Sequence, residues 1–205
     1  KSFTALAILK LRDEGKLQLD EAVEKYIPAL KGQRLTKDAP VMTIRHLMTH
    51  SAGFPEDNPW GDRQLADTEE ELNILIKKQL SLSNTAGLEY EYSNLGFAML
   101  GYIIHKVSGL TYDTYIAKNI LAPLSMQGTS FEYTDVPKNL FANGYRYINE
   151  QWRKEQPLKN GIYGAMGGMI TSIDMFSKYV ALHQDAWPAR DDVESFPIKR
   201  SSVRE

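Results

Sequence analysis

Tyr92 and Asn94, two side chains able to move or steer a proton, stand two residues apart just ahead of a long apolar run. If that stretch is extended, residues i and i+2 point the same way, so phenol and carboxamide face one space. A phenol shuttles protons once its pKa is lowered, and an amide offers both donors and an acceptor. The plainer alternative is that Ser93 or Asn94 caps a helix and Tyr92 staples its entrance. Local sequence leaves both readings open. A third group is Lys1, at the first turn of KSFTALAILKL, where Ala5 to Leu9 is apolar on every side. A lysine there is costly unless its amine has a partner or work to do.

Other patterns carry less. His46 and His50 have the four-residue spacing of metal ligands on a helix. Leu47 stands where a zinc peptidase would carry its glutamate, and no motif supplies a third ligand. Helix-packing histidines are the expectation, with no metal and no cofactor. Gly164-Ala165-Met166-Gly167-Gly168 precedes a helix, yet it lacks both the P-loop lysine and the spacing of a dinucleotide fingerprint. Tight backbone geometry with positive φ at one or more glycines accounts for it. The G-x-S-x-G nucleophile elbow is absent.

These residues need elements to hold them. Leu95 to Ile104 contains no charge and is apolar apart from two glycines, which predicts a buried helix at the centre of a domain. Ala5 to Leu9 predicts another, stopped by Gly15. Pro28 ends a turn or two begun at Asp20 and Glu21, and Lys31 to Pro40 reads as a polar loop. Thr43 caps a short helix through His50, and a Pro, Asn and Trp loop runs through Trp60. Asp67 is expected to cap the helix TEEELNILIKKQL, with acids first and lysines last as the helix dipole prefers. Thr111 starts a helix to about Leu121. Phe131 to Lys159 holds short strands or long loops, and Thr171 to Asp174 opens a helix to about Gln184. Asp185 to Arg200 reads as surface connection, and Ser202-Val203-Arg204-Glu205 has capping-box spacing. The chain is mainly helical.

Composition sets the bounds. The 205 residues suffice for one large or two small domains with a sizeable core. A formal charge of −2 points to neither nucleic acid nor anionic lipid as partner. No run reaches transmembrane length. The absence of cysteine excludes disulfides and thiolate metal sites. A buried helix opening abruptly at Lys1, and a helix start at the very end, predict an internal piece of a longer protein.

Four ordered blocks resemble the serine β-lactamase and penicillin-binding protein superfamily, in particular its class C, D-alanyl-D-alanine carboxypeptidase and related esterase members. KSFTALAILKL resembles the continuation of that family's S-x-x-K helix from its lysine. Tyr92-Ser93-Asn94 resembles its Tyr-x-Asn element. TIRHLMTHSAGF resembles its T-x-R-x-L-L-T-H-x-S-G segment, and GGMITSIDMFSKYV its G-G-x-x-S-x-x-D-M helix. The match runs from Lys1 to about Val180.

The resemblance implies an α+β β-lactamase/transpeptidase-like fold in the parent protein. The present chain would be mainly α with few short strands. Residues 1–184 would be the helical domain, and 185–205 a surface connection leading toward the α/β part. Lys1 would activate a serine three residues before it, and Tyr92 would carry protons to and from serine and leaving group. Asn94 would bind the substrate carbonyl or support the lysine. Their side chains should converge, with nitrogen–oxygen separations of about 2.6–3.2 Å, because a cation beside a phenol favours phenolate. Trp60 and Tyr163 would rim the site, while His50, Gly53, Gly167 and Gly168 would be structural. Neither the serine nor the family's third element, Lys/His-x-Gly, is in this sequence. The implied activity is serine hydrolysis through an acyl-enzyme, on a β-lactam, a D-amino-acid peptide of peptidoglycan type or a small ester. The competing reading is a non-catalytic binding or sensor protein of the same fold. A periplasmic or extracellular setting follows from the resemblance alone.

Overall fold

The computed structural model describes residues 1–194 and 197–205, without the side chains of Pro59, Trp60 and Asp62. Helix α1 runs Ser2–Asp13. Thr4, Ala7, Ile8 and Leu11 have no exposed surface. The helix stops where Gly15 turns left-handed at φ +71°, a conformation without steric cost for glycine. Two 3-10 turns follow, Val23–Lys25 and Pro28–Leu30. Helix α2, Ile44–Met48, has Thr43 as its cap.

The stretch expected as loop through Trp60 contains a short helix, α3, Asn58–Gly61. A proline in a helix's first turn is tolerated because that N–H would be unpaired anyway. Helix α4, Glu69–Lys77, is capped by Thr68 and not by Asp67. The Thr68 hydroxyl accepts the Glu71 amide, and the Glu71 carboxylate accepts the Thr68 amide at 2.8 Å. Asp67, one residue early, is out of register for that reciprocal pair.

Helix α5, Asn94–Ser108, is the centre of the molecule: every residue from Asn94 to Ile104 is buried. Around it pack α1, α2, α6 (Tyr112–Ile116) and α7 (Gly164–Gly167). Gly109 ends it at φ +73°, and α6 runs on into a π-helical turn, Ala117–Leu121. Strands β1 (Tyr145–Ile148) and β2 (Gln151–Lys154) form one antiparallel hairpin, Tyr145 opposite Lys154. Its linking residues, Asn149 and Glu150, both have positive φ, as a two-residue type I′ turn requires.

Two expectations fail around α7 and the chain end. The glycine-rich stretch is helical, and none of Gly164, Gly167 and Gly168 has positive φ. The constraint is proximity instead: a Cβ on Gly164 or Gly168 would lie 2.2 or 2.3 Å from Asn160 Oδ1. Helix α8, Ile173–Asp185, opens in the expected stretch, but its cap is Ser172, whose hydroxyl accepts the Met175 amide, and not Thr171 of the capping-box spacing. Helix α9, Arg200–Arg204, begins two residues before Ser202, which therefore caps nothing. Ser202 is buried and donates to Asp13 Oδ2 at 2.6 Å, while Arg12 donates to its hydroxyl at 2.9 Å. The hydroxyl that the capping spacing assigned to the last helix is thus engaged by α1.

Candidate active site

The starts of α1 and α5 and the end of α7 meet at one place. The Lys1 ammonium donates to Asn94 Oδ1 and to the Met166 carbonyl, both at 2.7 Å. The Tyr92 hydroxyl donates to the same Asn94 oxygen at 3.3 Å. The ammonium lies 4.9 Å from the centre of the Tyr92 ring and 5.5 Å from that of Phe97. Residues 93 and 165 positions apart in the chain thus share a single cation.

The electrostatics are demanding. Helix N-termini carry partial positive charge, so a cation between two of them is disfavoured. Oxygen acceptors offset this: the Asn94 carboxamide, the Met166 carbonyl, and behind them the carboxylate of Asp57. Asp57 Oδ1 accepts the Asn94 amide at 2.7 Å. Its Oδ2 accepts the Leu95 amide at 2.8 Å and the Ser93 hydroxyl at 3.1 Å. The Ser93 oxygen in turn accepts the Gly96 amide at 3.1 Å. The first amides of α5 are therefore satisfied. Ser93 and Asp57 do the capping, and the side chains of Tyr92 and Asn94 turn to Lys1.

Close packing fixes Asn94 further. It is 2% exposed, and a Cβ on Gly61 of α3 would stand 2.6 Å from the Asn94 Cβ. On α7, the carbonyl of Ala165 accepts the buried Thr4 hydroxyl at 2.6 Å, and Thr4 accepts the Tyr112 hydroxyl at 2.8 Å. That chain ties α6, α1 and α7 together one residue from the Met166 carbonyl.

His46 and His50 do not face a common point. His46 Nδ1 accepts the Thr43 amide at 3.2 Å, inside α2. His50 lies beyond the helix at φ +55°, and its Nδ1 accepts the Ser93 amide at 3.1 Å. Desolvation, first of the causes, lowers the pKa of both imidazoles, and the Lys1 ammonium lowers that of His50 further. Among the described residues no group of three or more His, Asp or Glu side chains is arranged to hold a metal.

The expected rim divides. Tyr163 is wholly buried at the N-terminal end of α7, and burial pushes its phenol pKa above the ordinary value. It is a core residue at the N-cap of α7. The side chain of Trp60 lies outside the described residues. Sequence reasoning missed Asp57, the Met166 carbonyl and the contact of His50 with Ser93. None has a local signature: Asp57 reaches amides 37 and 38 residues away.

Among the described residues no helix is long and apolar enough to cross a membrane. Protein flp of Staphylococcus aureus (strain COL) is 37% identical over 151 residues, which are 71% of this chain and 29% of that protein. Beta-lactamase-like protein 2 of Dictyostelium discoideum is 37% identical over 150 residues, 70% of this chain and 27% of that protein. The chain thus spans less than a third of these curated relatives. The octameric penicillin-binding protein homologue from Pyrococcus abyssi superposes with a TM-score of 0.80 at 31% identity, over 99% of this chain and 46% of that one. A D-stereospecific amidohydrolase from Streptomyces sp. does so at 0.77 and 25% identity, over 100% and 62%. A class C beta-lactamase at 24% identity and a TM-score of 0.72 shares the fold. The mostly helical chain is accordingly the helical part of that fold. The family model described as Beta-lactamase matches residues 1–202, nearly the whole length, and on that match this chain belongs to the Beta-lactamase family.

Proposed function

We propose that Lys1, Tyr92 and Asn94 form the proton-handling part of a serine acyl-transfer site in the protein to which this chain belongs. The observation that carries this is the shared oxygen of Asn94, which receives both the Lys1 ammonium and the Tyr92 hydroxyl. In the reaction, a serine hydroxyl adds to an ester or amide carbonyl, and its proton passes to the lysine–tyrosine pair. The same pair returns a proton to the departing amine or alcohol, leaving a serine ester. Water then cleaves that ester by the reverse sequence, yielding a carboxylic acid and the free serine. A residue three positions before Lys1 would share its helix face, so a serine there would stand beside the amine. Lys1 supplies the positive charge that favours phenolate at Tyr92. Asn94 holds the amine in line, in a pocket where Met166 and Asp57 offset the helix ends.

Family likeness supports hydrolysis, and within it a β-lactam, a D-amino-acid peptide or a small ester as substrate. The test is acylation of the full-length protein by a fluorescent penicillin, together with nitrophenyl-ester hydrolysis, in wild type and Tyr92→Phe. A rate about 10²–10⁴-fold lower in the variant is expected for loss of a proton carrier. A wild-type protein that neither acylates nor hydrolyses would make it a binding or sensor protein.

A further inference from the structure

We infer that His50 is a positioning residue for Tyr92, acting through its neutral imidazole. The inference rests on the acyl-transfer reading above. Two contacts join His50 to the Tyr92-Ser93-Asn94 element: Nδ1 accepts the Ser93 amide at 3.1 Å, and the ring stacks on Tyr92 with centres 4.7 Å apart at 28°. Its carbonyl accepts the Glu91 amide at 2.7 Å, so the residue grips both sides of Tyr92. Ser93 is extended, at φ −137° and ψ 123°. The imidazole is thus the wall that sets where the phenol stands before α5 begins.

The contact requires a lone pair on Nδ1. A protonated imidazole donates from both nitrogens and cannot accept the Ser93 amide. Protonation therefore breaks the Ser93 contact and sets two N–H groups face to face. The charged and titratable groups facing the ring are the Lys1 ammonium at the start of α1, Asp57 from the loop before α3, and Tyr90 and Tyr92 from the approach to α5. The Lys1 ammonium opposes protonation and Asp57 favours it. With Lys1 held at Asn94, the imidazole stays neutral where the site is assembled.

The backbone offers a discriminating substitution. At φ +55° asparagine is among the residues best tolerated, and its Oδ1 can accept the Ser93 amide without titrating. In the full-length protein near pH 7.5, His50→Asn is expected to keep kcat within about threefold. His50→Ala is expected to lose at least about tenfold in kcat with little change in KM, as displaced proton carriers do. As pH falls, wild type should lose rate with the imidazole's protonation, and His50→Asn should lack that step. An acid limb unchanged in His50→Asn, or wild-type kcat in His50→Ala, overturns the inference. If wild type shows no turnover, ¹⁵N-histidine NMR on the same protein decides it. His50 Nδ1 should read as an unprotonated acceptor, and the Tyr92 ring signals should follow the His50 titration. Tyr92 signals blind to that titration overturn the inference. Tyr92 signals that follow it leave the inference standing and sink only the hydrolase.

Discussion

At the scale of single residues, Asp57 holds the most. One carboxylate receives the amides of Asn94 and Leu95 and the hydroxyl of Ser93, at a helix end that favours negative charge. Asp57→Asn keeps one acceptor oxygen and replaces the other with a donor facing donors. We expect it to lower unfolding free energy by about 1–3 kcal/mol, read by urea titration, because a buried donor loses its partner. A second prediction concerns pH. His46 and His50 have folded-state pKa values lowered chiefly by desolvation. The unfolded chain then takes up protons first as pH falls, so stability should decline from about pH 7 downward until the folded-state values are passed. Unfolding at stepped pH should show a shallower decline in His50→Asn. An identical slope would remove His50 from the account.

At the scale of elements, the approach of α5 to α7 decides whether Lys1 has its second acceptor. A Cβ on Gly101 would stand 2.5 Å from the Cβ of Ala165, which cannot yield without moving the α7 backbone. Gly101→Ala gains about 1 kcal/mol of helix propensity, while overpacking costs about 1–3 kcal/mol, so net destabilisation is expected. The double variant Gly101→Ala/Ala165→Gly exchanges the methyl across the contact and should recover most of the loss in thermal melts. Equal melting of single and double variants would show that the helices already had room.

The same elements show what a sequence conveys. Helix α5 was legible because a charge-free run longer than a strand has few other homes, and α1 because Ala5 to Leu9 is apolar on every side and Gly15 stops it. Thr43 was legible as a cap because a cap acts on amides two or three residues away; at α8 the capping-box spacing from Thr171 to Asp174 found the helix start but missed its cap by one residue, Ser172. The helix at α7 was not, since glycines that read as a turn are there to admit the Asn160 side chain. The same limit hid Asp57, which caps a helix from another segment. Proximity of Lys1, Tyr92 and Asn94 came only through the resemblance, for no local pattern joins positions 1 and 94.

For the whole molecule, the last turn of α1 is fastened to α9. Ser202 bridges Asp13 and Arg12, and Arg12 also pairs with Glu205. Ser202→Ala leaves the Asp13 carboxylate one donor short in a half-buried place. A loss of about 1 kcal/mol is expected, measurable by chemical denaturation. No loss would mean that α9 is held by its other contacts, among them Val203 against the core, Arg200 on Asp192 and Arg204 on the Ala186 carbonyl.

The carbonyl that receives Lys1 is 165 residues downstream of it. A ribosome adds roughly 5–20 residues each second, so about ten to thirty seconds separate the two halves of that contact at birth. For the first 93 of those residues the amine has neither acceptor, and from there to Met166 it has Asn94 alone. The nascent chain therefore carries apolar α1 for a time beside a cation that lacks its full set of acceptors.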